Sequence, residues 1–234
     1  MLENLFAHNR DRNPDISGTD LGPIELVNNV FYNPISQFGE FYDRYTSTTI
    51  RYINNLGIFG PSTKKKEVPL VETYDTSSVY KVSVEAVGNM ILGKNSDIQK
   101  PAEIKLAEGS TIVTGASYDD FATIIPTADL LDRILSQVGP GGGRPTALDA
   151  LDAALLNSVR QRKGRVIDHP ADVGGWPQIE EAKSPEDSDQ DGMSDEWEDS
   201  KPGLDKHNGS DSWADRNNDG WSNIEEYLSY LAND

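Results

Sequence analysis

The chain has 234 residues, enough for one large domain or two smaller ones, with 36% hydrophobic residues and a mean hydropathy of −0.58. Its formal net charge of −18 argues against nucleic acid as a partner, because the phosphate backbone would repel it. No apolar run approaches the roughly 20 residues of a membrane span, the N-terminal stretch does not read as a secretory signal, and the absence of cysteine excludes a disulfide framework or a cysteine-based zinc site.

The front half carries a spaced repeat. Asn4, Asn29, Asn55 and Asn89 each stand just before a short apolar run, and they are 25, 26 and 34 residues apart. Alternating strand-like segments at 24–27, 50–53 and 79–84 precede three of them. A recurring unit of this length points to a solenoid. Asparagine tolerates left-handed backbone and can bond to its own copy one coil away, which suits the corners of a parallel β-helix. An ordinary antiparallel domain with Asn-rich turns is the alternative.

Beyond residue 93 the repeat fades, and 94–126 reads as irregular with one strand at 111–114. The Gly-Pro-Gly-Gly-Gly run at 139–143 is a breaker. A helix is expected over 146–162, with Leu148, Leu151, Leu155 and Val159 on one face and Gly164 closing it. Residues 177–186 form a polar linker, dividing a domain at 1–177 from one at 178–234.

The last segment is strongly acidic: 178–234 holds 17 Asp/Glu against 4 Lys/Arg. A solvated, disordered tail would have that composition, but the spacing is ordered. Asp187-x-Asp189-x-Asp191-Gly192-x5-Glu198 and Asp215-x-Asn217-x-Asp219-Gly220-x5-Glu226 both match a twelve-residue calcium loop. Ca2+ takes six to eight oxygen ligands. Positions 1, 3 and 5 supply side chains, and Gly at position 6 permits the turn. Position 7 (Met193, Trp221) supplies a backbone carbonyl, position 9 is Asp195 or Asn223, and position 12 (Glu198, Glu226) supplies a bidentate carboxylate. The helix after the second loop places Ile224, Tyr227, Leu228 and Leu231 on one face. Trp197, Trp221 and Leu228 are expected to meet when the loops fold together. Pro185 speaks against a regular helix before the first loop. Position 8 is serine in both loops (Ser194, Ser222), where paired sensor loops carry an aliphatic residue. The tail therefore resembles the structural calcium repeats of dockerin or thrombospondin type 3 kind, without a regulatory opening.

The order of several segments resembles bacterial pectate lyases of polysaccharide lyase family 1. These segments are Asn4 to Pro14 (NLFAHNRDRNP), Leu26 to Asn33 (LVNNVFYN), Gly60-Pro61-Ser62-Thr63, Gly143-Arg144-Pro145, Arg165-Val166-Ile167-Asp168 and Val173-Gly174-Gly175-Trp176-Pro177. The resemblance implies a mainly β chain: a right-handed parallel β-helix truncated at its N-terminus, then a helical segment and a small paired calcium-loop module. It implies secretion, Ca2+ as cofactor, and calcium-assisted β-elimination on polygalacturonate or a related acidic polysaccharide. Arg12, in Arg12-Asn13-Pro14, matches the first half of the family's Arg-x-Pro-x-x-Arg motif and inherits the base role, with Arg10 beside it as a substrate contact. Ser17 stands where the second arginine belongs. His8 reads as structural. The family holds its active-site calcium with carboxylates on coils upstream of the arginine motif. Only eleven residues precede Arg12, so the isolated chain is expected to show little or no lyase activity and to self-associate through an exposed N-terminal coil. A non-catalytic calcium-stabilised module that binds polysaccharide, or serves as a structural spacer, is the alternative.

Overall fold

A column of asparagine amides organises the first part of the protein. In the computed structural model, which describes residues 1–18, 22–64, 68–114, 123–139, 148–178 and 183–233, Asn4, Asn29, Asn55 and Asn89 stack one above the next. The backbone N–H and the side-chain Nδ2 of Asn4 both donate to Asn29 Oδ1, each at 3.0 Å. Asn29 does the same to Asn55 Oδ1 at 3.0 and 2.9 Å, and Asn55 to Asn89 Oδ1 at 2.9 and 3.1 Å. Their carbonyls accept from Val30, Leu56, Met90 and Ala102. The residue before each asparagine (Glu3, Asn28, Asn54, Gly88) has positive φ, so a left-handed step turns the chain at every level. Gly88 is required twice over, since a Cβ there would lie 1.8 Å from Asn54 Oδ1.

This corner generates three sheets. Strands β1 (Leu5–Ala7), β4 (Val30–Tyr32), β7 (Leu56–Ile58) and β10 (Met90–Leu92) pair in parallel. So do β2 (Asp15–Ser17), β5 (Gly39–Tyr42), β8 (Val71–Tyr74) and β12 (Ile104–Lys105). The third set is β3 (Ile24–Val27), β6 (Thr48–Ile53), β9 (Val82–Val87) and β13 (Thr111–Ile112). Each sheet takes every third strand, so the chain visits the three in turn. The expected antiparallel alternative is excluded for 24–32 and 50–58. One strand departs from the parallel pattern: β11 (Gln99–Pro101) runs antiparallel to β10. The repeat also outlasts residue 93, through β12 and β13. β13 falls within the strand expected at 111–114, whereas β12, two residues long, is too short to show an apolar alternation in the sequence.

Alternate side chains point inward, as strand geometry dictates. Leu26, Phe31, Phe38, Phe41, Ile50, Tyr52, Leu70, Val71, Val82 and Val84 form the buried core. Phe6 stacks on Phe31 with ring centroids 5.0 Å apart, and Phe31 on Tyr52 at 5.9 Å. Gly57 occupies the next register above Phe31, and a Cβ there would lie 2.7 Å from Leu70 Cδ1, so this level of the core has no room for a side chain.

Two helices follow. α1 (Thr127–Gln137), unforeseen in the sequence reading, buries Leu130, Ile134 and Leu135 and packs against β4 and β7. α2 (Ala150–Arg160) is opened by Asp149 and Asp152 in a reciprocal capping box. Its buried face is Leu156 and Val159, while Leu151, expected on that face, is 51% exposed. Residues 146 and 147 of the expected helix, the Gly143-Arg144-Pro145 segment, and 179–182 of the linker lie outside the described residues. His8 bridges α2 to the β1 sheet: its Nε2 is 2.8 Å from Ser158 Oγ and its Nδ1 2.8 Å from Asn33 Nδ2. Ser158 Oγ already donates to Leu155 O and Asn33 Nδ2 can only donate, so the ring is the neutral Nε2–H tautomer. Burial lowers its pKa accordingly.

The chain divides into two compact units: residues 1–138 with 149–176, and 139–148 with 177–234. In the second unit Met193, Trp197 and Tyr227 form a small core with Leu204 and Ile224 against it. Trp221 and Leu228, expected in that contact, are 60% and 57% exposed, and Leu231 is also exposed. No described helix is long and apolar enough to cross a membrane.

The ladder should carry much of the stability of the first unit. Asn55 is fully buried, and its amide serves Asn29, Asn89 and the carbonyl of Leu26 at once. Asn55→Ala leaves several buried partners unsatisfied and is expected to cost about 3–5 kcal/mol in urea unfolding. Asn4→Ala, at the end of the column, is expected to cost about 1 kcal/mol. Equal effects at the two positions would show that the stack does not act as a buried network.

Candidate functional site

The two acidic loops fold alike. In each, the first aspartate accepts from the backbone of positions 5 and 6: Asp187 from Asp191 and Gly192, and Asp215 from Asp219 and Gly220. Position 5 accepts from position 7, Asp191 from Met193 and Asp219 from Trp221, both at 2.9 Å. Position 4 (Gln190, Asn218) and the position-6 glycine both have positive φ. Serine at position 8 has a plain structural reason. Ser194 caps α3 (Asp195–Asp199) by accepting from Trp197 N–H, and Ser222 bonds to Glu225 at the start of α4 (Asn223–Asn233).

The carboxylates differ sharply between the loops. In the first, Asp187, Asp189 and Asp191 bring oxygens within 4.8 Å of one another, and so do Asp191, Glu198 and Asp211. Glu198 is only 1% exposed. Both of its oxygens, both of Asp189, one of Asp191 and one of Asp211 are buried without a hydrogen-bond partner among the described residues. Leaving so many buried acceptors unpaired is costly. Burial, and then the charges of Asp191, Asp189, Asp211 and Asp195, push the Glu198 carboxyl up to about 7. Asp191 is raised for the same reason, burial first. A hard divalent cation ligated by oxygen would satisfy all these groups, so the residues present fit a metal. Asp195 stands apart. Its carboxylate accepts from Ser188 N–H and Oγ, both at 2.7 Å, rather than joining the cluster.

In the second loop Glu226 is already engaged, by Arg216 at 2.5 Å and by Asn217 Nδ2 at 2.8 Å. Asn217 Nδ2 also reaches Asp219 Oδ2, and Asn223 donates to the carbonyl of Asp211. The loop has the right backbone, but an arginine and an amide neutralise its carboxylates.

Asp211 and Arg216 were invisible to pattern matching. Asp211 lies between the two motifs, and Arg216 at position 2, which the motif leaves free.

On the first unit, Arg12 sits at a left-handed corner (φ 61°) before the cis Asn13–Pro14 peptide. Its Nε donates to Glu40 at 2.9 Å and lies 3.6 Å from Asp15. Asp15, Glu40 and Glu72 share one register across β2, β5 and β8, and Lys105 on β12 closes the row on Glu72. Gln37 Nε2 lies 3.2 Å from Glu40, 3.4 Å from Glu72 and 2.7 Å from Tyr74 Oη. Tyr42 stacks on Tyr74, and burial together with Glu40 pushes its hydroxyl to about 12. For Glu72, burial alone would raise the pKa, but hydrogen bonds from Lys105, Tyr74 and Gln37 outweigh it and hold it low. Glu40 first, then Asp15, raises the Arg12 pKa, so its guanidinium is held charged. Arg10 pairs with Asp168 at 2.5 Å. Ser17 lies on β2, its buried Oγ without a partner. No protein-family model and no curated protein matches this sequence.

The Glu198 pKa fixes a pH dependence for the metal-free protein. A carboxyl raised from its ordinary range to about 7 is held protonated by the fold, so its ionisation opposes folding. In chelator, the contribution of Glu198 to the stability of the second unit should be fully present near pH 4.5, be lost as pH rises toward 7, and level off above that. Melting followed through the Trp197 environment at pH 5 and pH 8 checks this, and Glu198→Gln should flatten the difference.

Proposed function

We propose that this chain is a right-handed parallel β-helix of the pectate lyase type, secreted, bearing a C-terminal calcium module, and directed at polygalacturonate or a related acidic polysaccharide. The observation that carries this reading is the three-sheet parallel stack with Arg12, the residue to which the resemblance gives the base role, exposed at one of its corners. In the reaction it implies, Arg12 takes the C5 proton of a galacturonate, the C4–O bond breaks with its electron pair leaving on the oxygen, which takes a proton from water to become a hydroxyl, and the new chain end carries a 4,5-double bond. A calcium ion held by the upstream carboxylates that the resemblance implies would supply Lewis acidity at the uronate carboxylate and so make that proton more acidic. A base must first be neutral. Arg12 therefore has to leave Glu40 and Asp15, which favour its charged form, before it can accept a proton.

That same pairing favours a second reading, in which the chain grips polyuronate through Arg10 and Arg12 without cleaving it. A β-elimination assay on polygalacturonate with calcium, followed by the ultraviolet absorbance of unsaturated uronides, separates the two. For the enzyme, this chain alone should turn over little or nothing, and once the carboxylate-bearing upstream coils that the resemblance implies are supplied, Arg12→Ala should lower turnover by ~10²–10⁴-fold. For the binding module, the polymer is retained without new absorbance and Arg12→Ala weakens retention. Full turnover in Arg12→Ala overturns the base assignment, and neither turnover nor retention overturns both readings.

Residues 1–30 include β1, whose outer edge has no strand partner among the described residues. Open edges invite pairing, so the protein is expected to self-associate there, with a concentration-dependent sedimentation coefficient. A strict monomer at high concentration would count against this.

A further inference from the structure

The two loops of the tail share a backbone but not an environment, and the segment joining them supplies the difference. Residues 209–211 lie against the first loop. Gly209 packs so closely that a Cβ there would lie 3.3 Å from the carbonyl of Asp189 and 3.5 Å from Asp191 Cβ. Two residues on, Asp211 presents a carboxylate oxygen within 4.8 Å of Asp191 and Glu198. One of its oxygens is buried and has no donor among the described residues. The other oxygen of Asp211 accepts the backbone N–H of Asp205 at 3.0 Å, which fixes the carboxylate's direction. Glu198, almost wholly buried, brings a carboxylate oxygen to the same cluster, and neither of its oxygens has a donor among the described residues.

We propose that Asp211 is a ligand of the first calcium site, closing it from outside the twelve-residue motif, and that this makes the first site much tighter than the second. The proposal rests on the calcium reading above and adds a ligand and an order of filling. Asp187, Asp189, Asp191, Glu198 and Asp211 bring five carboxylates to one ion. The second loop offers Asp215, Asp219 and Glu226, and its ion must first displace Arg216 and turn Asn217. The first ion also anchors the second loop. The backbone after Asp211 carries it: the Asp211 carbonyl accepts from Asn223 Nδ2 at 2.7 Å, and Ser212 O accepts from Ile224 N–H at 2.9 Å. Fixing Asp211 therefore fixes the start of α4.

Calorimetric titration of the full chain with calcium tests this. Two separate steps are expected, one ion each. Asp211→Asn keeps the side chain's size and should weaken the tight step at least tenfold while leaving the weak step within about twofold. Asp199→Asn is the control, because Asp199 is acidic and nearby but pairs with Lys206. It should change the tight step by less than about threefold. Circular dichroism at saturating calcium checks that both variants fold. If Asp211→Asn binds like wild type, or weakens the tight step no more than Asp199→Asn does, Asp211 is not a ligand, although the calcium reading stands. Two equal steps in the wild-type chain would overturn the order of filling. No calcium heat in the wild-type chain removes the reading beneath the proposal as well.

Discussion

The first unit depends on a single kind of bond: an asparagine amide that satisfies a buried corner of the backbone. A solenoid corner turns the chain away from its sheet, which leaves backbone N–H groups facing a dry interior. Asn29 and Asn55, both fully buried, answer this with an amide oxygen that accepts two bonds from the coil on one side, while the residue's backbone N–H and Nδ2 each give one to the coil on the other and Nδ2 gives a second back to a carbonyl, Met1 O or Leu26 O. The left-handed residue before each asparagine makes the turn, and the asparagine pairs what the turn exposes. The sheets, the inward aromatic stack and the outward carboxylate row on β2, β5 and β8 all follow from the register this column sets.

The same logic extends to a segment that looked featureless in sequence. Asn28 and Asn54, the left-handed residues beside the ladder, have side chains directed outward. Asn28 Nδ2 donates to Thr123 O at 2.8 Å and Asn54 Nδ2 to Ile125 O at 2.7 Å, while Ile125 N–H returns a bond to Asn28 at 3.2 Å. Residues 123–125 are thus tied along the corner without regular structure of their own, and they lead directly into α1. Paired asparagines at one corner serve two purposes, one facing inward and one outward.

What could be read in advance was whatever the chain repeats. The ladder asparagines were legible because identical residues recur at a spacing set by one circuit of the coil, and the loop ligands because a twelve-residue turn dictates each position. Features that depend on tertiary neighbours were not. α1 does carry a stripe at Leu130 and Ile134, but Pro126 and the irregular run before it hid its start. In α2 the expected face was Leu148, Leu151, Leu155 and Val159, but Leu156 lies beside Val159 on the helix and makes a second, overlapping stripe with it. Only the packing partner decides between them, and it chose the second. Trp197 and Trp221 occupy different positions of similar loops, yet one is buried and the other exposed, because Tyr227 tilts against Trp197 with ring centroids 5.0 Å apart. Asp211 lies outside any motif, and only folding brings it beside Glu198.

The spacing of the ladder also bears on how the fold forms. Each rung joins residues 25, 26 or 34 positions apart, so no rung can arise from local contacts. Closing a loop of this size costs entropy that grows only with the logarithm of its length, about 0.6 kcal/mol per doubling. The longest circuit, from Asn55 to Asn89, is therefore penalised by a few tenths of a kcal/mol against its neighbours. The expensive event is the first pairing of two circuits, after which each new one docks on a template already in register. Folding should be slow to start and quick to propagate, and the outer bends between rungs are free to change length while the corner itself is not.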